Sequence, residues 1–364
     1  MSEVQRIVIA GGGTGGHVNP GLAIAQELCR RDPRREVRFV GTAAGLEARL
    51  VPAAGFLLET IRATGIVGKG LRGRATGLAR LPLGLLDALQ ILRRFRPALV
   101  VGVGGYASGP VLAAALLRRI PTMIHEQNRW PGVTNRLLAP WVDRIAVSFE
   151  ATTGRVGKLG TLTGNPVRAA FAGLPAWLPH AGHARVLVFG GSRGARAIND
   201  AVTAALPHLG PCGWSWRHQT GAADRDRVAA AYAAAGIRDA QVEAFLDDMP
   251  AALAAADLVV CRAGASTLAE LACAGRAAIL IPFPQAAHDH QRHNARGFAA
   301  AGAATVLEQG DLDGGRLAAA VQALLADPQR LARMSAAART LARPEAAARI
   351  ADLAEALLAP GGAR

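Results

Sequence analysis

Twice along the chain a short apolar run passes through glycines into a helical pattern. RIVIA at residues 6–10 leads into GGGTGGHVNP and then GLAIAQELCRR, and about 180 residues later VLVFG leads into GGSRGARAIND. A strand that ends in glycines at the start of a helix aims backbone N–H groups at an anionic ligand beside the positive end of the helix. VRFVG, LVVGV and TMIHE in the first half, and LVVCRAGAST and AAILIPF in the second, repeat the strand-then-loop order. Such runs alternating with Ala- and Leu-rich helical segments predict parallel sheets covered on both faces. The expectation is an α/β chain of two doubly wound, Rossmann-like domains that bind ligands at their strand ends. The boundary is expected after Gly164, giving domains 1–164 and 165–343. A C-terminal helix at 344–364 is free to pack back on the first domain, with Pro344 marking its start.

Composition narrows the class. Apolar residues make up 51% of the 364, enough for a real core and too many for a disordered chain. Cys29, Cys212, Cys261 and Cys273 form no C-x-x-C pair, so they read as buried free thiols rather than a disulfide framework or zinc site. Met1-Ser2-Glu3 runs almost directly into IVIAGGG, without the basic and apolar regions of a signal peptide. Residues 98–117 are uncharged, about the length of a bilayer span. Gly102, Gly104, Gly105, Gly109 and Pro110 interrupt that stretch, which reads instead as a strand, a glycine loop and a helix starting near Pro110.

The net charge of +14 calls for an anionic partner, and it is unevenly placed. Residues 1–164 hold 22 basic and 10 acidic side chains, against 19 and 17 in 165–364. Arg62–Arg96 contributes eight of these bases, including Lys69, Arg72, Arg74 and Arg80, with only Asp87 as acid and leucines between. That mixture suits an anionic membrane surface. A nucleic-acid binder would want aromatic side chains for stacking, and aromatics are only 4%.

The loops carry the chemistry. Gly11, Gly13 and Gly16 satisfy G-x-G-x-x-G, yet the second strand ends in Gly41-Thr42 and lacks the acid that would hold a nicotinamide cofactor's ribose. A nicotinamide-dependent oxidoreductase therefore stands as an alternative on the glycines alone. His17 follows the loop directly and can take a proton near neutral pH. HEQN, residues 125–128, lies at a strand's C-terminal end. In CRAGASTLAE, Ser266 is expected to cap a helix whose N–H groups suit a diphosphate, with Glu270 one turn in to accept ribose hydroxyls. Ser192 of GGSRGA and Arg168 of GNPVR add a donor and a cation, and Asp289, Gln291 and Asn294 add groups suited to sugar hydroxyls. Asp224-Arg225-Asp226 has a metal-binding spacing but reads as a solvated helical face, and no metal site stands out.

Taken together and in order, GGGTGGHVNPGLAIA, GYASGP, HEQN, GNPVR, GGSRGA, FLDDM, CRAGASTLAE and DHQ-x-x-N resemble the MurG family of bacterial peptidoglycan glycosyltransferases, from about residue 6 to residue 295. The resemblance implies a GT-B fold with an interdomain cleft. It implies metal-independent, inverting transfer of N-acetylglucosamine from UDP-N-acetylglucosamine to the C4 hydroxyl of undecaprenyl-pyrophosphoryl-N-acetylmuramyl-pentapeptide, with no cofactor. A related transferase acting on a diacylglycerol lipid is the runner-up.

Carried over by residue, the donor contacts would be Thr14, Gly15, Gly16, Asn128, Arg168 and Ser192, with Leu246 beside the uracil. Ala265, Ser266, Thr267, Leu268, Ala269 and Glu270 would hold diphosphate and ribose, and Gln291 and Asn294 the sugar. His17 would be the general base, with Glu126 a second candidate. Gly104, Gly105 and Tyr106 would face the acceptor, and Lys69, Arg72, Arg74 and Arg80 the membrane at the cytoplasmic face of the inner membrane. Asn19 and Ala107 stand where the family carries bulkier residues.

Overall fold

A computed structural model describes residues 4–63, 71–157, 159–178, 183–191, 194–210, 213–286 and 289–359, excepting the side chains of 71–80. The chain divides into two compact units, Met1–Arg168 with Arg343–Arg364, and Ala169–Ala342.

Seven strands build the sheet of the first unit: β1 (Arg6–Ala10), β2 (Glu36–Gly41), β3 (Leu57–Thr60), β4 (Leu99–Gly102), β5 (Thr122–Glu126), β6 (Arg144–Val147) and β7 (Gly160–Leu162). All pair in parallel, in the order β3-β2-β1-β4-β5-β6-β7. The crossovers are α1 (Gly15–Arg31), α2 (Glu47–Ala53), α3 (Leu71–Phe95), α4 (Ser108–Leu117), α5 (Val133–Leu138) and α6 (Glu150–Val156). Both faces of β1 are covered, as a parallel sheet requires. Ile7 and Ile9 enter one apolar cluster and Val8 and Ala10 the other.

The second unit opens with α7 (Ala169–Ala172) and then repeats the plan. Its strands are β8 (Arg185–Phe189), β9 (Ser215–Gln219), β10 (Ala240–Glu243), β11 (Leu258–Cys261), β12 (Ala277–Leu280) and β13 (Ala304–Val306). They are parallel in the order β10-β9-β8-β11-β12-β13, which matches the first six strands of unit one position for position. The helices are α8 (Arg196–Leu209), α9 (Arg225–Ala234), α10 (Met249–Ala255), α11 (Ala265–Ala274), α12 (His290–Ala300), α13 (Gly314–Leu325) and α14 (Pro328–Thr340). After Pro344, α15 (Ala346–Leu358) returns to the first unit. Ile350, Ala351, Ala354 and Leu357 join the cluster under β1, and Arg31 of α1 bonds Asp352 and Glu355.

Unit one runs through Arg168, a few residues past Gly164, and Gly164 (φ +93°) packs directly against Arg343 and Ala346 at the start of α15. Helix α4 begins at Ser108, near Pro110 as expected, and Pro110 falls in its first turn, where the missing N–H costs no hydrogen bond. Cys261 and Cys273 are buried free thiols and Cys29 is a half-buried one; Cys212 lies outside the described residues.

Two histidines are sealed into strand ends. His218 of β9 donates from Nε2 to Asn199 Oδ1 at 3.1 Å, an oxygen fixed as acceptor because Asn199 Nδ2 donates to Thr220 O and Asp224. Its Nδ1 then accepts from the Tyr232 hydroxyl at 3.3 Å. Burial pushes His218 down to about 3 and His125 of β5 down to about 4, from 6.5. The unfolded chain binds protons at both sites near pH 6.5, whereas the native chain holds both neutral until lower pH. Their contribution to stability is therefore complete above pH 6.5 and is lost as pH falls from there toward about 4. Melting curves are expected to show a Tm several degrees lower at about pH 5 than at about pH 7.5. Equal Tm values would contradict the neutral, buried assignment.

Candidate active site

In both sheets the strand order reverses between the first and fourth strands, at β1/β4 and at β8/β11. The loops leaving those strands flank the crevice where open α/β sheets bind ligands.

In unit one these loops are Gly11–Thr14 and Val103–Ala107. They touch: Gly12 N donates to Gly104 O at 3.3 Å, and a Cβ on Gly105 (φ +83°) would overlap Gly12 O. Thr14 occupies the N-cap of α1 without a side-chain capping bond. Its hydroxyl instead meets His17 Nδ1 at 3.1 Å. The amides of Gly15 and Gly16, in the first turn, have no intrahelical acceptor and point out of the helix end. The His17 ring is half-buried and lies on the Gly104 backbone, where an added Cβ would sit 2.7 Å from Cδ2. Gln127 Nε2 fixes this second loop through Val103 O at 2.6 Å, and Tyr106, 48% exposed, stands beside Gly13. The neighbouring His125 is kept neutral first by burial and further by the nearby His17.

Glu126, the second candidate base, is 1% exposed. Its Oε1 accepts from Asn128 N and Nδ2, and its Oε2 from Gly132 N and Asn135 Nδ2, at 2.8–3.3 Å. Burial raises its carboxyl above the ordinary range against the pull of these donors. All four bonds are internal, so in this structure Glu126 holds the turn that carries half-buried Asn128. Arg168 is exposed at the end of unit one.

In unit two the loop after β8 is kept close to β9 by Gly194 (φ +73°), where any Cβ would overlap Thr220 O. Ser192 lies outside the described residues. After β10, Leu246 is buried and Phe245 half exposed, while Asp248 caps α10 through Ala251 N at 2.9 Å. Helix α11 differs from expectation at its cap. Gly264, in extended conformation, is the N-cap, and Ser266 sits within the first turn, its hydroxyl buried without a partner. Glycine is accepted at an N-cap but offers no side chain to it, so the first-turn amides from Ala265 to Thr267 have no capping side chain and no intrahelical acceptor. Ala265 and Leu268 are buried, hence only their backbone can serve; Thr267, Ala269 and Glu270 are half-buried.

Behind this turn, Arg262 donates to Ile281 O, Pro282 O and Gln309 Oε1 and lies against the Phe283 ring. Gln291 Oε1 accepts from Phe283 N at 3.0 Å. Asn294 is fully buried and donates to Ala263 O, which places it beneath the β11–α11 turn rather than at its surface. Asp289 pairs with Arg292. Asp224 is engaged by Asn199 and Arg227. Lys69 lies outside the described residues, as do the side chains of Arg72, Arg74 and Arg80; Leu81, Leu83 and Leu86 follow them on α3, exposed.

Sequence reasoning passed over Glu47. The second strand's missing acid is supplied from α2, and its carboxylate faces inward, accepting from Gly13 N at 2.7 Å and from Thr42 N and Oγ1 at 2.8 and 2.7 Å. It is 1% exposed, so it offers no oxygen to a cofactor's ribose.

Two parallel-sheet α/β units of matching strand order are the plan of the GT-B glycosyltransferases, and the comparisons specify the family. A crystal structure of MurG from Acinetobacter baumannii matches with a TM-score of 0.81 at 31% identity, covering 96% of this chain and 99% of that one. The glycosyltransferase family 28 N-terminal domain matches residues 7–147 and its C-terminal domain residues 185–353. Relatives named UDP-N-acetylglucosamine–N-acetylmuramyl-(pentapeptide) pyrophosphoryl-undecaprenol N-acetylglucosamine transferase match along nearly the whole chain. The one from Syntrophotalea carbinolica is 52% identical over 95% of this chain and 97% of its own length, and that from Myxococcus xanthus 48% over 96% and 92%. The chain belongs to glycosyltransferase family 28, in its MurG branch.

Proposed function

We propose that the chain transfers N-acetylglucosamine from UDP-N-acetylglucosamine to the C4 hydroxyl of undecaprenyl-pyrophosphoryl-N-acetylmuramyl-pentapeptide, converting lipid I to lipid II. The observation that carries this reading is the 52% identity, over almost the full length of both chains, to a relative named for that reaction. The site chemistry agrees. In unit two the uncapped N-terminus of α11 offers backbone N–H groups and a positive helix end to the diphosphate, where charge grows as the donor bond breaks. Gln291 and Glu270 are the side chains there for sugar and ribose hydroxyls, and the backbone beside Leu246 serves the uracil. Arg168 supplies a cation to the leaving group.

In unit one, His17 is the general base. With Nδ1 engaged by Thr14, Nε2 takes the proton from the acceptor's C4 hydroxyl. That oxygen forms the new bond to the anomeric carbon as the bond to UDP breaks, and UDP leaves with the electron pair. Attack opposite the leaving group inverts the anomeric centre. Glu126 supports Asn128, and the Gly104–Tyr106 loop with the first glycine loop faces the acceptor pyrophosphate. UDP-N-acetylglucosamine at a hundredfold excess over Kd is expected to stabilise the enzyme by about 3 kcal/mol, read as a rise in Tm, with NAD having no effect. Stabilisation by NAD alone would overturn the reading.

The place of action we infer is the cytoplasmic face of the inner membrane, with the enzyme bound peripherally. No helix among the described residues is long and apolar enough to cross a membrane. The basic excess of residues 1–164 and the exposed leucines of α3 suit an anionic surface, at about 1 kcal/mol for each Lys or Arg close to it. Co-sedimentation with vesicles is expected to rise with their anionic lipid content; binding indifferent to that content would refute docking by this segment and leave the transferase reading standing.

A further inference from the structure

We propose that Glu47 is a positioning residue for sugar transfer, acting through His17; the proposal rests on the transferase reading above. The carboxylate lies under the first glycine loop, and three segments close around it. A Cβ on Gly12, Gly41 or Gly45 would overlap the Glu47 side chain, so glycine at all three positions leaves room for this one group. Its three bonds come from two backbone amides and a threonine hydroxyl. Burying a carboxylate on neutral donors alone is costly, and for filling space an apolar side chain of like volume serves better. What the carboxylate adds is a fixed acceptor for donors that would otherwise be unpaired in the interior.

The fixed donors lead to the base by two routes. Gly13, whose N–H is held by Oε2, is followed by Thr14, whose hydroxyl meets His17 Nδ1. Gly12, packed on the same carboxylate, donates to Gly104 O, and the backbone of Gly104 carries the His17 ring. Glu47 thus sets both supports of the imidazole. It also withdraws the Gly13 N–H from ligand binding, leaving the anion-facing role to Gly15 and Gly16 at the end of α1.

Glu47→Gln tests this with little change of volume. An amide has one oxygen for donors that now share two, so its NH2 must face either Gly13 N–H or the Thr42 pair, donor against donor. The expected result is a kcat about 10–100-fold lower, with the Kd for UDP-N-acetylglucosamine within about twofold of the parent. The decisive arm is a double-mutant cycle: in a His17→Ala background, Glu47→Gln costs no further activity, because the group it positions is gone. Gly12→Ala, which pushes on the carboxylate from the other side, is expected to behave likewise. Unchanged kcat for folded Glu47→Gln overturns the proposal. So does a loss that adds in full to that of His17→Ala, as a purely structural role would produce. Absence of transfer by the parent enzyme, measured first, counts against the transferase reading itself.

Discussion

Replacement of His17 by alanine is expected to lower sugar transfer on the order of 10²-fold or more while leaving UDP-N-acetylglucosamine binding within about twofold. The magnitude follows from the step assigned to the imidazole. A sugar hydroxyl is a poor nucleophile until its proton has somewhere to go, and a positioned base supplies that at the moment of attack. His17 is half-buried, is oriented through Nδ1 by Thr14, and rests on a glycine that admits the ring because it has no side chain. Among the described residues of unit one no other candidate matches this. Glu126 is buried with both oxygens occupied, and His125 is sealed inside and held neutral. Initial rates at saturating donor and acceptor, with donor affinity measured separately, decide the matter. Turnover equal to the parent would remove His17 from the chemistry.

Arg276→Ala is expected to be the most damaging substitution in the core of unit two. The side chain is 1% exposed, yet its guanidinium donates to Leu253 O and Ala254 O at the end of α10 and to Ala274 O and Gly275 O at the end of α11. Helix C-termini leave carbonyls without intrahelical donors and carry negative partial charge, so one planar cation can serve two of them. Burial, with a further push from Arg339, lowers Arg276 to about 10, so it remains charged at neutral pH. Alanine removes the guanidinium from all four carbonyls, with Leu253 O keeping Ala256 N as a donor, a cost on the order of 3–5 kcal/mol. That corresponds to a Tm lower by roughly 10 °C. Arg276→Lys keeps the charge but loses the fork, and is expected to fall between. A Tm within a degree or two of the parent for Arg276→Ala would show that the contacts are dispensable. This arginine thus secures, from its other end, the helix on whose first turn the nucleotide diphosphate is proposed to rest.

The doubly wound plan was legible because its signals are local. RIVIA-GGG and VLVFG-GGS each mark, within a dozen residues, a strand end, a turn and a helix start. His17 could be placed at a helix start and HEQN at a strand end for the same reason. What escaped depends on residues far apart in the chain. Glu47 lies 34 positions from Gly13, and its role appears only once α2 folds back under the end of β2; in LEARL it looks like any exposed helical glutamate. Arg276 likewise meets Leu253 O and Ala254 O only once α10 is brought against it. The cap of α11 was misplaced because Ser266 has the better capping side chain, whereas the end of β11 sets where the helix must begin and gives that position to Gly264. Asn294 looked like a sugar ligand because amides suit hydroxyls, but α12 turns it inward to Ala263.

The central claim is tested most directly by incubating the purified enzyme with UDP-N-acetylglucosamine labelled in the sugar and a lipid-linked N-acetylmuramyl-pentapeptide acceptor, with a diacylglycerol acceptor in parallel. The account predicts label in a β-1,4-linked disaccharide on the muramyl lipid, with one UDP released for each sugar moved. Label on the diacylglycerol alone, or no transfer to either lipid by enzyme that binds the donor, would contradict it.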